Sequence, residues 1–469
     1  MVGLPRYSAA MIVLKFGGTS LGIPENFGAA LAIVADRAHR DAGDPPIVVV
    51  SALHAVTNQL VDWCREKAGR HDRSGAFVTR HREFAQQVGL PDERSVNALL
   101  TEWSSMSGAL GAMHGPLTDA PRDRILAFGE RLAAALFAAG LEARGIQASA
   151  IEAGEAGFIT DERFGNAHPL PEAVTKLREK FANRDRVWVM TGFMGRTTDG
   201  RTTTLGRGGS DFSAAFLGAA IGADEIQIWT DTSGLLSADP RIVPEARPVP
   251  HLSFTEASEL AYFGAKVLHP KTLLPAMDRA IPVRVLNTQR PTDPGSRITP
   301  EAEPAPGSWR VKSIASKKDI TAVTIASSRM LLAHGFLARV FEVFGRHHLV
   351  VDLVTTSEVS ISVTLDDPSQ LDSALAELET IGRVEVRRGL AVVAVVGEGA
   401  PTRIGLAGHV FTLLGGVGIG VEMISQGASR VNLSFVVREE DADKSVRLLH
   451  RGLGLDLEAS ENQSAPANS

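Results

Sequence analysis

Cysteine is nearly absent. The 469 residues hold one, Cys64, so no intrachain disulfide can form, which suits a reducing compartment. A surplus of positive charge is also missing. The 48 Lys and Arg against 54 Asp and Glu leave a formal net charge of -6, with no general pull toward nucleic acid or an anionic membrane. No apolar run reaches the length of a bilayer span. Residues Met1 to Ala10 lack the apolar core of a secretory signal, so a cytoplasmic protein is expected. No Walker-type lysine motif occurs, which excludes the common P-loop.

A chain this long is expected to form two or three domains. Strands are expected at Ile12–Phe16, Ile47–Val50, Val187–Met190, Ile226–Trp229 and Val283–Leu286. Their apolarity is continuous instead of alternating, so both faces are buried, and a largely parallel sheet covered by helices follows. The stretch from Arg65 to Asp123 reads as charged helices and loops, with Arg80-His81-Arg82 on a solvated helix face. Cys64, in Trp63-Cys64-Arg65-Glu66-Lys67, has no metal-binding or nucleophilic partner in sequence and reads as a bystander.

A Pro/Gly-rich stretch from Pro291 to Gly307 marks a boundary. Beyond it a layout repeats at a spacing of 70 residues. Gly405 echoes Gly335, Val410-Phe411 echoes Val340-Phe341, and Val421-Glu422-Met423 echoes Val351-Asp352-Leu353. This predicts a tandem of small β-α-β-β-α-β units. Gly415, Gly416, Gly418 and Gly420 follow a helix instead of opening one, so they read as a helix-to-strand turn and not as a dinucleotide fingerprint.

The richest run is Thr202-Thr203-Thr204-Leu205-Gly206-Arg207-Gly208-Gly209-Ser210-Asp211, ahead of a helix expected over Phe212–Ala220. Glycines let backbone N–H groups approach an anion, and a helix N-terminus favours negative charge. The alternative is a plain turn with Ser210 or Asp211 as the helix cap. Other special residues follow strand ends: Lys15 with Gly17-Gly18-Thr19-Ser20, Ser51 with His54 and Thr57-Asn58, Gly192-Phe193, and Thr230-Asp231. Ligands of open α/β sheets bind at such carboxyl ends. Glu130 lies in an apolar helix expected over Ile125–Ala139, either on its solvent face or as a ligand-binding carboxylate.

Together, Lys15-Phe16-Gly17-Gly18-Thr19-Ser20, the run from Thr202 to Asp211, Trp229-Thr230-Asp231, Asp239-Pro240-Arg241 and Phe263-Gly264-Ala265-Lys266-Val267-Leu268-His269-Pro270 resemble the aspartokinases. Thr355-Thr356-Ser357-Glu358 resembles the monofunctional, lysine-sensitive kind. The resemblance implies an α/β fold: an amino-acid-kinase α/β/α sandwich over 11–300, then two tandem ACT (βαββαβ, ferredoxin-like) domains over 315–390 and 391–458, and a polar tail over 459–469. It implies transfer of phosphate from ATP, with Mg2+, to the side-chain carboxylate of L-aspartate at the head of lysine, threonine and methionine synthesis. Lys15, Asp211 and Lys266 would be catalytic, and Ser51, Thr57, Glu130, Phe193, Arg207 and Ser210 would hold aspartate. Gly17, Gly18, Thr230, Asp231 and Arg241 would hold ATP. L-Lysine is expected as inhibitor at Met330, Gly335, Phe336, Val351, Asp352 and Glu358, in a homodimer or tetramer joined through the ACT domains. Some residues depart from the pattern. Leu236 stands where an aromatic residue often packs near adenine, and Leu332, Ala333 and Val350 replace polar residues of the effector region. Another amino-acid kinase and a non-catalytic amino-acid-binding regulator are the competing readings.

Overall fold

The computed structural model describes residues 11–40, 44–66, 70–90, 93–113, 115–264, 268, 270–303, 305, 307, 309–330, 334–426 and 430–456. The chain divides into two bodies. The first comprises Met1–Leu235, Pro250–Phe254 and Val267–Glu301; the second comprises Leu236–Val249, Thr255–Lys266 and Ala302–Ser469.

The strands of the first body are β1 (Ile12–Phe16), β2 (Ile47–Val50), β3 (Ala148–Ile151), β4 (Val187–Thr191), β5 (Met194–Arg196), β6 (Thr202–Thr204), β7 (Glu225–Thr230), β8 (His251–Ser253), β9 (Val283–Asn287) and β10 (Ser296–Thr299). Eight form one sheet in the order β3-β4-β2-β1-β7-β9-β10-β8, and β5 and β6 pair separately. Pairing is parallel from β3 through to β9; only β9 and β10 run antiparallel. The five strands expected from sequence are therefore contiguous and internal, with none at an edge. All residues of β1 and β2 are buried, as continuous apolarity requires.

Both faces of this sheet are covered. Ile12, Leu14 and Phe16 share a core with Phe27 and Phe137 from the helices Pro24–Arg40 and Phe128–Glu142. The intervening Lys15 points the other way, toward Asp211 on the helix Gly209–Ile221. Alternate residues of one strand thus serve two helical layers. The helix expected over Ile125–Ala139 is two helices, Asp119–Leu126 and Phe128–Glu142, separated at Ala127. The supposed solvated face at Arg80-His81-Arg82 is corrected: Arg82 is exposed, but His81 is fully buried. Its Nδ1 lies 2.8 Å from the Phe77 carbonyl, and burial pushes its pKa down to about 4.

The second body holds a six-stranded sheet made of β11 (Ser313–Ala326), β12 (Val351–Thr356), β13 (Ser360–Leu365), β14 (Arg383–Val396), β15 (Met423–Ser425) and β16 (Asn432–Arg438), in the order β12-β13-β11-β14-β16-β15. The 70-residue repeat is visible in its helices. Phe336–Arg346 and Leu406–Gly416 each have 11 residues and open after a left-handed glycine, Gly335 (φ 75°) and Gly405 (φ 87°). The units are nevertheless interlocked. β11 and β14 have 14 residues each and pair along nearly their whole length, so each strand serves both units. The boundary expected at 390/391 falls inside β14. The second unit is closed by Ser313–Lys317 of β11, and among the described residues no strand follows β16. Two stretches expected in the first domain belong to this body, because Ala238 and Val243 enter its core and Glu256 makes a buried ion pair with Lys312 at 2.8 Å.

Candidate functional site

Parallel register aligns the strand ends of the first body. Phe16 pairs with Val50 and with Trp229, Val50 with Thr191, and Thr230 with Asn287. The residues that follow these ends share one rim. There a cavity of 620 Å³ opens, lined by Lys15, Ser51, Thr57, Glu130, Phe193, Arg207, Ser210 and Asp211. All described residues expected to be catalytic or to hold aspartate are gathered in it. Lys266 and His269 lie outside the described residues.

Backbone conformation builds the wall. Gly206 and Gly208 are left-handed (φ 77° and 71°), and Gly208 caps the helix Gly209–Ile221. That helix starts three residues earlier than expected, so Ser210 and Asp211 sit in its first turn and neither is the cap. A Cβ on Gly192 would lie 2.7 Å from Ser210 Cβ, and one on Gly209 would lie 2.8 Å from the Phe193 ring. Phe193 itself has φ 65°, a strained value for a bulky residue. It is held by its N–H to Ser213 Oγ (3.1 Å) and by its carbonyl, which accepts from Leu205 N–H (2.8 Å).

The cavity holds both paired and unpaired charges. Lys15 Nζ lies 2.5 Å from Asp211 Oδ1, both largely buried. Glu130 is 2% exposed. Its Oε1 accepts the Ala52 N–H at 3.1 Å, and its Oε2 has no partner among the described residues. Burial pushes its pKa up to about 8, although the Ala52 N–H opposes this. Of the two readings left open by sequence, the solvent-facing one is excluded. Arg207 is exposed on the cavity wall and has no ion-pair partner among the described residues. A free guanidinium and an unpaired buried carboxylate on one cavity match the carboxylate and ammonium of an amino acid.

Gly17 and Gly18 lie beside Lys15. A Cβ on Gly17 would be 3.3 Å from Lys15 Nζ, and the Gly17 N–H donates to the Trp229 carbonyl at 3.3 Å. Thr230 Oγ1 donates to Asp231 Oδ1 at 3.1 Å, just past β7. Arg241, also expected to hold ATP, belongs to the second body, where Asp239 accepts its backbone N–H (2.9 Å) and its Nε (3.0 Å).

Sequence reasoning missed several lining residues, among them Arg122 and Gly165, and the wholly buried Asp123 behind them. Cys64 also lines the cavity, as a thiol that burial pushes up to about 12; an un-ionised thiol is a poor nucleophile.

In the second body Gly335 opens its helix as expected, and Met330 and Val351 are half-buried. Asp352 is half-buried on β12, with neither carboxylate oxygen partnered among the described residues. Burial, then the charge of Asp366, pushes its pKa up to about 7. Phe336, expected to cover a ligand, is 2% exposed and packs in the core with Val340 and Phe344. Glu358 is exposed in the turn after β12, and Val350 is 71% exposed. Leu332 and Ala333 lie outside the described residues. No described helix is long and apolar enough to cross a membrane.

The chain is similar to known proteins. The amino acid kinase family matches residues 10–287, and the ACT domain family matches 393–453. Aspartokinase 1, chloroplastic, of Arabidopsis thaliana is 38% identical, over 94% of this chain and 79% of its own. Lysine-sensitive aspartokinase 3 of Escherichia coli is 36% identical, over 94% and 99%. A crystal structure of E. coli aspartokinase III in complex with aspartate and ADP superposes with a TM-score of 0.82 at 35% identity, covering 94% of this chain and 99% of that one. The same protein in complex with lysine and aspartate gives 0.75. The chain therefore belongs to the aspartokinase family and is an aspartate kinase.

Proposed function

We propose that this protein transfers the γ-phosphoryl group of Mg-ATP to the side-chain carboxylate of L-aspartate, giving 4-phospho-L-aspartate, and that L-lysine inhibits it. The carrying observation is one cavity that holds the Lys15–Asp211 pair together with a Glu130 oxygen and an Arg207 guanidinium that have no partner among the described residues.

A side-chain carboxylate with a pKa of about 3.9 is already an anion at neutral pH. The nucleophile needs no base, and the work of the site is to neutralise charge where two anions meet. Glu130 takes the substrate ammonium and Arg207 its α-carboxylate, which leaves the side-chain carboxylate to point at Lys15. Ser51, Thr57, Phe193 and Ser210 close the pocket around it. Lys15, kept in place by Asp211, stabilises charge on the transferring group; the family resemblance gives Lys266, which lies outside the described residues, a similar role. Gly17 and Gly18 let backbone N–H groups approach the phosphates, with Thr230 and Asp231 at the adjoining strand end. Among the described residues no three His, Cys, Asp or Glu side chains cluster as a metal cage. Magnesium bound to the nucleotide phosphates would supply further charge neutralisation there.

Inhibition rests on Asp352, whose buried and unpartnered carboxylate suits a ligand ammonium beside Met330 and Val351. The edge strands β12 and β15 and the exposed Leu337 and Phe341 support assembly into a homodimer or tetramer. Light scattering that found a stable monomer, with and without lysine, would remove that part.

An ATP-dependent acyl-hydroxamate assay tests the whole reading. Aspartate should be turned over in preference to glutamate and N-acetylglutamate, and lysine should inhibit more strongly than threonine. Preference for another carboxylate would replace the substrate; inhibition by threonine alone would replace the effector.

A further inference from the structure

Arg122 and Asp123 form a built arrangement that none of the roles above uses. Asp123 is fully buried, and a buried carboxylate is tolerated only when hydrogen-bonded. Its Oδ2 accepts the N–H groups of Gly165 and Thr204, both at 2.7 Å. Its Oδ1 accepts Arg122 Nε at 3.3 Å and Nη2 at 3.1 Å. The guanidinium lies against Gly165, where an added Cβ would come within 1.9 Å of Nη2. Gly165 in turn lies against Gly206, whose added Cβ would sit 3.0 Å from the Gly165 carbonyl oxygen. The residue after Gly206 is Arg207. Two guanidiniums thus flank one stack of glycines, and both line the cavity.

We infer that Arg122 is a second guanidinium of the aspartate pocket, which takes the substrate α-carboxylate together with Arg207, and that Asp123 is the positioning residue that holds it there. The inference rests on the aspartate reading above. Arg122 touches substrate; Asp123 acts through Arg122 and through the backbone of Gly165 and Thr204.

Steady-state kinetics on the full chain, with aspartate and ATP varied separately, test it. Wild type must first turn over aspartate; if it does not, the functional reading fails and not this one. Arg122→Gln should raise the aspartate KM by roughly ten- to hundredfold, the loss of one charge-assisted contact, and leave the ATP KM unchanged. The preference for aspartate over its α-amide should collapse in the same variant, a change that loosened folding alone would not produce. In Asp123→Asn the amide oxygen can still accept from Gly165 and Thr204, but its NH2 faces the donors of Arg122. That variant should show the same aspartate defect, and Asp123→Asn/Arg122→Gln should be no worse than either single change. An unchanged aspartate KM in Arg122→Gln, an ATP KM that rises in step, or fully additive losses would overturn the proposal. If Asp123→Asn melts early, Arg122→Gln and its α-amide preference decide alone.

Discussion

Glu130 and Asp352 are two answers to one problem, a carboxylate buried without a counter-charge. Glu130 sits in the first turn of the helix Phe128–Glu142, nearly all of whose residues are buried. A Cβ on Gly129 would lie 2.7 Å from Ala52 Cβ, so the helix presses on the loop after β2 and Ala52 can fix one carboxylate oxygen. Only the other oxygen is open. Asp352 sits on an edge strand and has neither oxygen fixed. The first arrangement is preorganised for a ligand that must be held in one orientation for reaction. The second leaves the carboxylate to be satisfied by what binds, which suits a ligand that shifts an equilibrium by binding one state better. One fixed oxygen sets the proposed substrate carboxylate apart from the proposed effector carboxylate, which has none among the described residues.

The largest expected effect isolates the first region from the second. Lys15→Ala should lower kcat by roughly a hundred- to a thousandfold, the usual cost of about 2.7–4 kcal/mol for removing a preorganised charge partner of the transition state. Lysine binding, followed by calorimetry, should survive. Near-normal turnover in a folded variant would remove Lys15 from the mechanism.

Next, Glu130→Gln should raise the aspartate KM by roughly ten- to hundredfold with little change for ATP. It should also stabilise the free protein. Burial raises the folded-state pKa of Glu130 to about 8, from an ordinary value of 4.5, so stability from this group is full at low pH and is lost as pH rises toward 8. Thermal melts without ligand should therefore show the variant gaining on wild type across that window. A variant that melts lower than wild type at pH 8 would contradict an unpaired Glu130.

A comparable test reaches the second region. Asp352→Asn should weaken lysine inhibition by roughly five- to a hundredfold, the range of ordinary coupling energies, with uninhibited turnover nearly unchanged. Undiminished inhibition would show that β12 does not hold the effector. The smallest effect concerns Cys64: its thiol, pushed up to about 12, should resist alkylation in native protein at pH 8, as thiol titration would show. Rapid modification would mean that the cavity wall opens.

The rim of the first sheet was legible because burial on both faces writes itself as continuous apolar runs, and special residues follow them directly. Glu130 stayed ambiguous because the face of an apolar helix that meets a cavity depends on the loop after β2. Asp123 was invisible for a related reason. Its partners are backbone N–H groups 42 and 81 residues away, and backbone amides leave no residue signature. Phe336 was misplaced because a residue beside a left-handed glycine can turn toward a ligand or toward the core, and Val340 and Phe344 make a core there. The interlocking of β11 and β14 was missed because a repeat in sequence does not say which copy supplies the closing strand.

The most direct test of the account is calorimetry of aspartate binding at pH 7 in buffers of different ionisation enthalpy. Glu130 is mostly protonated in the free protein at that pH and must ionise to hold an ammonium. Wild type should therefore release a proton to the buffer on binding aspartate, and Glu130→Gln should release none. Binding of equal strength and equal proton count in the two proteins would contradict the account.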